Sequence, residues 1–224
     1  MSHSREGLAL PGRPGLWPAI GRQLRSPSGR AGRITGHLMT LINRQPVQRT
    51  INVLNPQPAE AVLELGFGSG FGLALLGKRA GMICGVDRSG EMVAQAARRN
   101  RAAVAAGRMH VTQGSFGHLE WPDESFDAIL AANVIYFFDE AGADMREVHR
   151  VLRPGGRLAV YATDRASMEN WPFCEPETHR LFNEADIEAL LMQGGFPRDD
   201  IHLAACRLAF GIEGIIALAR KPAR

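Results

Sequence analysis

The stretch Val62-Leu63-Glu64-Leu65-Gly66-Phe67-Gly68-Ser69-Gly70-Phe71-Gly72 decides how this chain of 224 residues is read. Val62 to Leu65 is a short apolar run with one carboxylate, the pattern of a buried strand. Four glycines then follow at alternate positions. Leu73, Ala74, Leu75, Leu76 and Lys78 continue as a helix. Strand, glycine turn and helix make the first unit of a nucleotide-binding α/β sheet. Without a Cβ the turn bends sharply and a ligand can lie against main-chain N–H groups. The dinucleotide fingerprint G-x-G-x-x-G does not fit, because the sixth position from Gly66 is Phe71 and from Gly68 is Leu73.

Similar units recur downstream. Met82-Ile83-Cys84-Gly85-Val86-Asp87 is a second apolar strand ending in an acid, about twenty residues beyond Gly66. A carboxylate there can accept hydrogen bonds from both ribose hydroxyls of a nucleotide. It can equally cap the helix that begins near Ser89, and both roles can hold together. Glu91 to Ala106 reads as a helix and Met109 to Thr112 as a third strand. Ala128 to Asn133 is the fourth strand, and Val134-Ile135-Tyr136-Phe137-Phe138 runs on past the sheet edge. Ligands of such sheets bind outside the C-terminal strand ends, where Asn133 and Tyr136 fall. An amide leaving a central strand is poorly explained by packing, whereas Tyr136, Phe137 and Phe138 also suit a plain aromatic core. A helix over Ala143–Leu152, a turn at Arg153-Pro154-Gly155-Gly156 and a fifth strand over Arg157–Thr163 follow. Asp164 to Thr178 is an irregular insert with Trp171, Pro172 and Phe173, placed to wall a pocket. A helix over Asn183–Met192 and a hairpin of Ile201–Leu208 with Gly211–Ala219 close the chain.

The glycine stretch E-L-G-x-G-x-G resembles motif I of the class I S-adenosylmethionine (SAM)-dependent methyltransferases, and Asp87 resembles their motif II. Trp121-Pro122-Asp123-Glu124-Ser125-Phe126-Asp127 is similar to the family's F-x-D-x-S-F-D entry to strand four. Glu147 to Leu158, E-V-x-R-V-L-R-P-G-G-R-L, matches its consensus nearly residue for residue. The resemblance covers about Ala59 to Lys221 and implies an α/β fold of seven strands, parallel except for the last, with helices on both faces. It implies a methyltransferase with SAM as cofactor and S-adenosylhomocysteine (SAH) as product. It points to Glu64, Gly66, Phe67, Gly68, Gly70, Asp87, Arg88, Ser115, Phe116 and Asn133 as cofactor-binding residues. Glu64 suits the cofactor's ammonium or sulfonium, and Arg88 is placed to flank the adenine. Ser115 stands where the family usually has Asp, a weaker acceptor for the adenine amino group, and Phe116 is free to pack on that ring instead.

Three regions are expected: a flexible basic arm over 1–30, N-terminal helices over 31–58 that cap the cleft, and the methyltransferase domain over 59–224. The first 50 residues hold eight arginines against Glu6 alone, so they carry +7 of the net +3 and the remainder carries −4. Leu16, Trp17, Ile20 and Leu24 recur at helical spacing within the arm, which suits a basic amphipathic helix on an anionic membrane surface or on RNA, a cap on the domain, or a disordered tail. Ile34–Ile42 and Val47–Leu54 read as helices separated by a break at Asn43-Arg44-Gln45-Pro46. There His37 and Asn43 can face substrate, or serve as an exposed residue and a helix C-cap. Together with Tyr136 and Trp171 they make the expected substrate lining. Base candidates are His37, Tyr136 and Tyr161, with Asp164 and His179 behind them.

Cys84, Cys174 and Cys206 are too few and too scattered for a disulfide framework or a zinc site, so no metal is expected. No run of 18 apolar residues and no secretory signal stand out, and the cytoplasm is the expected compartment. The expected function is methyl transfer to a small-molecule acceptor. A lipid or quinone acceptor at a membrane surface and a SAM-binding module without catalysis are the alternatives, and no nucleic-acid partner is expected.

Overall fold

The computed structural model describes residues 43–169, 180–208 and 211–223. The arm over 1–30, the helix at Ile34–Ile42, His37, Trp171 and His179 lie outside them. A seven-stranded sheet organises the rest, in the order β3-β2-β1-β4-β5-β7-β6. Its strands are β1 (Ala61–Leu65), β2 (Met82–Asp87), β3 (Met109–Gln113), β4 (Phe126–Ala132), β5 (Leu152–Thr163), β6 (Ile201–Arg207) and β7 (Glu213–Arg220). Strands β1 to β5 pair in parallel, and β7 runs antiparallel to both β5 and β6. The expected architecture is therefore found.

Side-chain alternation divides the core into two layers. Val62 joins Ile83, Ala128 and Leu130 on one face, beneath helices α1 (residues 43–54), α2 (Phe71–Leu76) and α3 (Gly90–Arg99). Leu63 and Leu65 join Cys84, Val86, Ile129 and Ala131 on the other. That face is covered by α5 (Ala143–Val151) and α7 (Glu184–Gln193), while α4 (Arg101–Ala105) follows α3 and the short α6 (Arg165–Met168) follows β5. The order of strands reverses direction between β1 and β4, and the glycine turn after β1 opens at that point.

Several boundaries differ from expectation. Asn43–Pro46 does not break a helix, since residues 43–54 are helical throughout. Val47, Ile51 and Leu54 recur at i, i+4, i+7 and all three are buried, so packing against the sheet fixes the helix from Val47 onward. The helix expected over Glu91–Ala106 is interrupted at Asn100. The Asn100 amide donates to Gly70 O at 3.1 Å and Ala96 O at 2.9 Å, and a side chain bonded outside its own helix offers the backbone an alternative to continuing it. The R-P-G-G turn is an excursion within β5: Phe126 pairs with Leu152 and Ala128 with Arg157, so four residues leave the ladder.

Candidate active site

The glycine turn is shaped from both sides. Gly66 N–H continues the sheet to Val86 O at 2.8 Å, and Gly68 N–H donates to Asp87 Oδ2 at 2.9 Å. Gly68 has φ +52, and a Cβ there would meet nothing within 4 Å, so open space lies against its backbone. Asp87 is 8% exposed and its other oxygen accepts from Ser89 N–H at 2.9 Å. Burial, the leading cause, raises its pKa against the lowering by those two amides and Arg88. The helix cap is Ser89, whose hydroxyl accepts from Met92 N–H, and not Asp87.

Glu64 lies under this turn, its carboxyl against Gly72, where a Cβ would overlap it. It is 4% exposed, and Glu64 Oε2 has no hydrogen-bond partner among the described residues. Burial first, and the charge of Asp87 second, push its pKa well above the usual carboxylate range. A buried carboxyl oxygen without a donor is a place for a cationic donor from outside the chain. The Phe67 ring turns inward against Gly85 and Leu73, so a ligand meets Phe67 through its main chain.

The second wall departs from expectation. Phe116 is 2% exposed, packed on Phe138 at 5.6 Å between centroids. Arg88 lies over its ring at 4.7 Å, donates to Phe137 O at 3.3 Å and stands 3.7 Å from Asp144. A contact of Phe116 with an adenine requires Arg88 to move off that ring. Ser115 is exposed and its hydroxyl accepts from Gly117 N–H at 3.3 Å.

At the exit of β4 the chain turns through Asn133, with φ +56, into a 3-10 turn over Ile135–Phe137. The Asn133 amide donates from Nδ2 to Asn43 Oδ1 at 2.9 Å, and its Oδ1 accepts from the Tyr136 hydroxyl at 2.9 Å. Thr163 N–H donates to that same hydroxyl at 2.6 Å. The expected residues Asn43, Asn133 and Tyr136 thus meet in one network, and Asn43 is not a C-cap, because α1 runs on from it. Tyr161 is fully buried, its ring fitted against Gly214 and its hydroxyl 3.3 Å from Thr163 Oγ1. Burial pushes its pKa up to about 12, which opposes the role of base expected for it. The Asp164 carboxylate caps α6 through Ala166 N–H.

Sequence reasoning missed Thr163, Gly72 and Gly85. Gly72 was visible as the fourth glycine, but that it makes room for Glu64 depends on how α2 sits on β1. Thr163 reaches Tyr136 only through the pairing of β4 with β5, which no local pattern reveals.

A methyltransferase-domain family matches residues 63–160, the span from β1 to β5 that carries this geometry. Residues 63–160 are a methyltransferase domain of the class I SAM-dependent type. The methyltransferase YdaC of Bacillus subtilis (strain 168), itself uncharacterized, is 28% identical over 85% of this chain and 99% of its own length. A demethylmenaquinone methyltransferase of Corynebacterium kroppenstedtii is 33% identical over 57% of this chain, which spans 50% of that relative. Among solved structures, the [4+2]-cyclase SpnF shares the fold with a TM-score of 0.67 at 21% identity, covering 80% of this chain and 81% of its own. The residues present fit the family's SAM: an open glycine backbone at Gly68, an unpartnered buried carboxyl oxygen on Glu64, and a strand-end carboxylate at Asp87. No helix among the described residues is long and apolar enough to cross a membrane.

Proposed function

We propose that this chain transfers the methyl group of SAM to a small-molecule acceptor at the exit of β4. The observation that carries the reading is the Asn43–Asn133–Tyr136 network beside the glycine turn. When bound, SAM supplies a methyl group on a sulfonium, already an excellent leaving group. The chain therefore has to orient and desolvate more than to activate. Glu64 would take the cofactor's ammonium, Asp87 the ribose hydroxyls, and the main chain of Gly66, Phe67, Gly68 and Gly70 its edge. Arg88, Ser115 and Phe116 would lie on the adenine side and Asn133 next to the methyl-bearing end.

On the acceptor side, the Tyr136 hydroxyl is fixed by a donor at Thr163 and an acceptor at Asn133. Its proton is committed to Asn133, which suits orienting an acceptor through the remaining lone pair and not taking a proton from it. Asn43 brings α1 to the same place, and His37 and Trp171 are kept as candidate substrate-lining residues. A lipid or quinone acceptor is the second reading, supported by the demethylmenaquinone methyltransferase relative and by the eight arginines among the first 50 residues. A third reading is cofactor binding without methyl transfer.

The test is SAM labelled on its methyl group, incubated with the full chain and extract of its native cells, then partitioned. Label in the small aqueous pool is the expected result. Label in the organic fraction selects the lipid or quinone reading. SAH binding with no label transferred to any fraction would sink methyl transfer altogether.

A further inference from the structure

A group of arginines has no part in the site above. Arg99 ends α3, Arg101 opens α4 and Arg108 precedes β3, and with Asn100, Ala102 and Ala103 they line an open cleft of about 410 Å³. All three are exposed, and among the described residues none forms an ion pair with a carboxylate. The stretch from Ala97 to Arg108 contains four arginines and no acid. A helix C-terminus accounts for Arg98 and Arg99, which oppose the negative end of the α3 dipole. It does not account for Arg101, which stands in the first turn of α4, where the dipole is unfavourable to a cation.

The floor of the cleft is rigid. Asn100 is 8% exposed and its amide is held by Gly70 O and Ala96 O. Positive charge accumulates around it: burial, and then the like charge of Arg44, lower the pKa of Arg99. Arg44 itself rests on the Phe71 ring at 5.6 Å. Arginines gathered on a fixed floor without their own counter-ions form a surface whose free energy falls when an anion enters. Guanidinium forks match the oxygens of a phosphate, two at a time. The volume admits a phosphate together with part of whatever carries it.

We propose that the cleft between α3, α4 and β3 binds a phosphate group, either of a soluble phosphate compound or of a phospholipid headgroup. Its ligands are the guanidiniums of Arg99, Arg101 and Arg108. It is separate from the methyl-transfer reading and stands or falls without it.

The test uses the full chain and two probes at constant ionic strength, inorganic pyrophosphate by calorimetry and vesicles containing phosphatidic acid by sedimentation. Vesicles of phosphatidylcholine alone are the blank. Arg101→Ala and Arg108→Ala are each expected to weaken binding about tenfold, the loss of one charge-assisted contact. Arg98→Ala, equally exposed but outside the cleft, is expected to leave binding unchanged. That pattern with pyrophosphate assigns a soluble ligand, and with phosphatidic acid vesicles alone it assigns a headgroup. Binding of neither probe to the full chain, or a loss with Arg98→Ala equal to that with Arg101→Ala, overturns the proposal.

Discussion

Glu64→Gln separates the two demands on the buried carboxyl, folding and cofactor binding, because it moves them in opposite directions. In the folded chain Glu64 holds its proton more tightly than an ordinary carboxylate, through burial first and the charge of Asp87 second. In the unfolded chain it ionises near pH ~4.3. Below that value both states carry the proton and ionisation contributes nothing to the difference between them. As pH rises above it the unfolded chain releases its proton while the folded chain retains it, so stability falls with pH until the folded value is reached. Gln does not ionise, and its amide can donate into the field of Asp87. Leaving a buried polar oxygen unsatisfied costs about 1–3 kcal/mol, and more when it is charged. Relieving that at pH 8 should raise Tm by about 2–12 °C, at about 2–4 °C per kcal/mol for a chain of this length. The gain should shrink towards pH 5. SAH affinity should fall about tenfold, since a carboxylate facing an ammonium becomes a neutral amide. Scanning calorimetry at pH 5 and pH 8 with SAH titrations reads both effects. A Tm difference that does not change with pH, or a Gln variant less stable at pH 8, would refute the reasoning.

Three further outcomes follow from the same geometry. Asp87→Ala should weaken SAH binding by about 1–3 kcal/mol, because the ribose acceptor and the acceptor of Gly68 and Ser89 N–H are lost together; unchanged affinity in calorimetry would remove Asp87 from the site. Tyr136→Phe should lower turnover more than SAH affinity, and should cost about 1–3 kcal/mol of stability because Thr163 N–H and Asn133 Oδ1 lose their partner; equal losses in turnover and affinity would argue against an acceptor-side role. His149 packs edge-on against Phe196 at 4.9 Å, and burial, then the charge of Lys221, lowers its pKa. Its unfolded form takes up a proton first as pH falls through ~6.5, so stability should decline below that pH. His149→Phe should flatten that acid limb in a urea titration series, and an unaltered limb would show that His149 does not cause it.

The strands and the glycine turn were legible because they are local. Val62–Leu65 and Ala128–Asn133 carry apolar runs of strand length, and glycine spacing after Gly66 separates this turn from the dinucleotide kind. Asn43, Asn133 and Tyr136 could each be named as site residues, from strand ends and from helix placement. Their joining across 90 residues by a single amide depends on α1 lying beside the exit of β4. The break expected at Pro46 failed for a related reason: burial of Val47, Ile51 and Leu54 against the sheet fixes the helix from Val47 onward. The stop at Asn100 was unreadable because the carbonyl that holds its side chain belongs to Gly70, thirty residues earlier.

By itself the sequence determined the order of strands and helices, the glycine turn after β1 and the acid that ends β2. Each is written in spacing along a few consecutive residues, where backbone sterics and side-chain period act directly. Only the tertiary structure decided which side chains are used up inside the fold. It put the Phe67 ring against Gly85, Arg88 over Phe116 and the Tyr161 hydroxyl beside Thr163, and left a buried carboxyl oxygen of Glu64 without a hydrogen-bond partner among the described residues. Those outcomes rest on contacts between residues far apart in the chain, whose burial sets both their partners and their protonation.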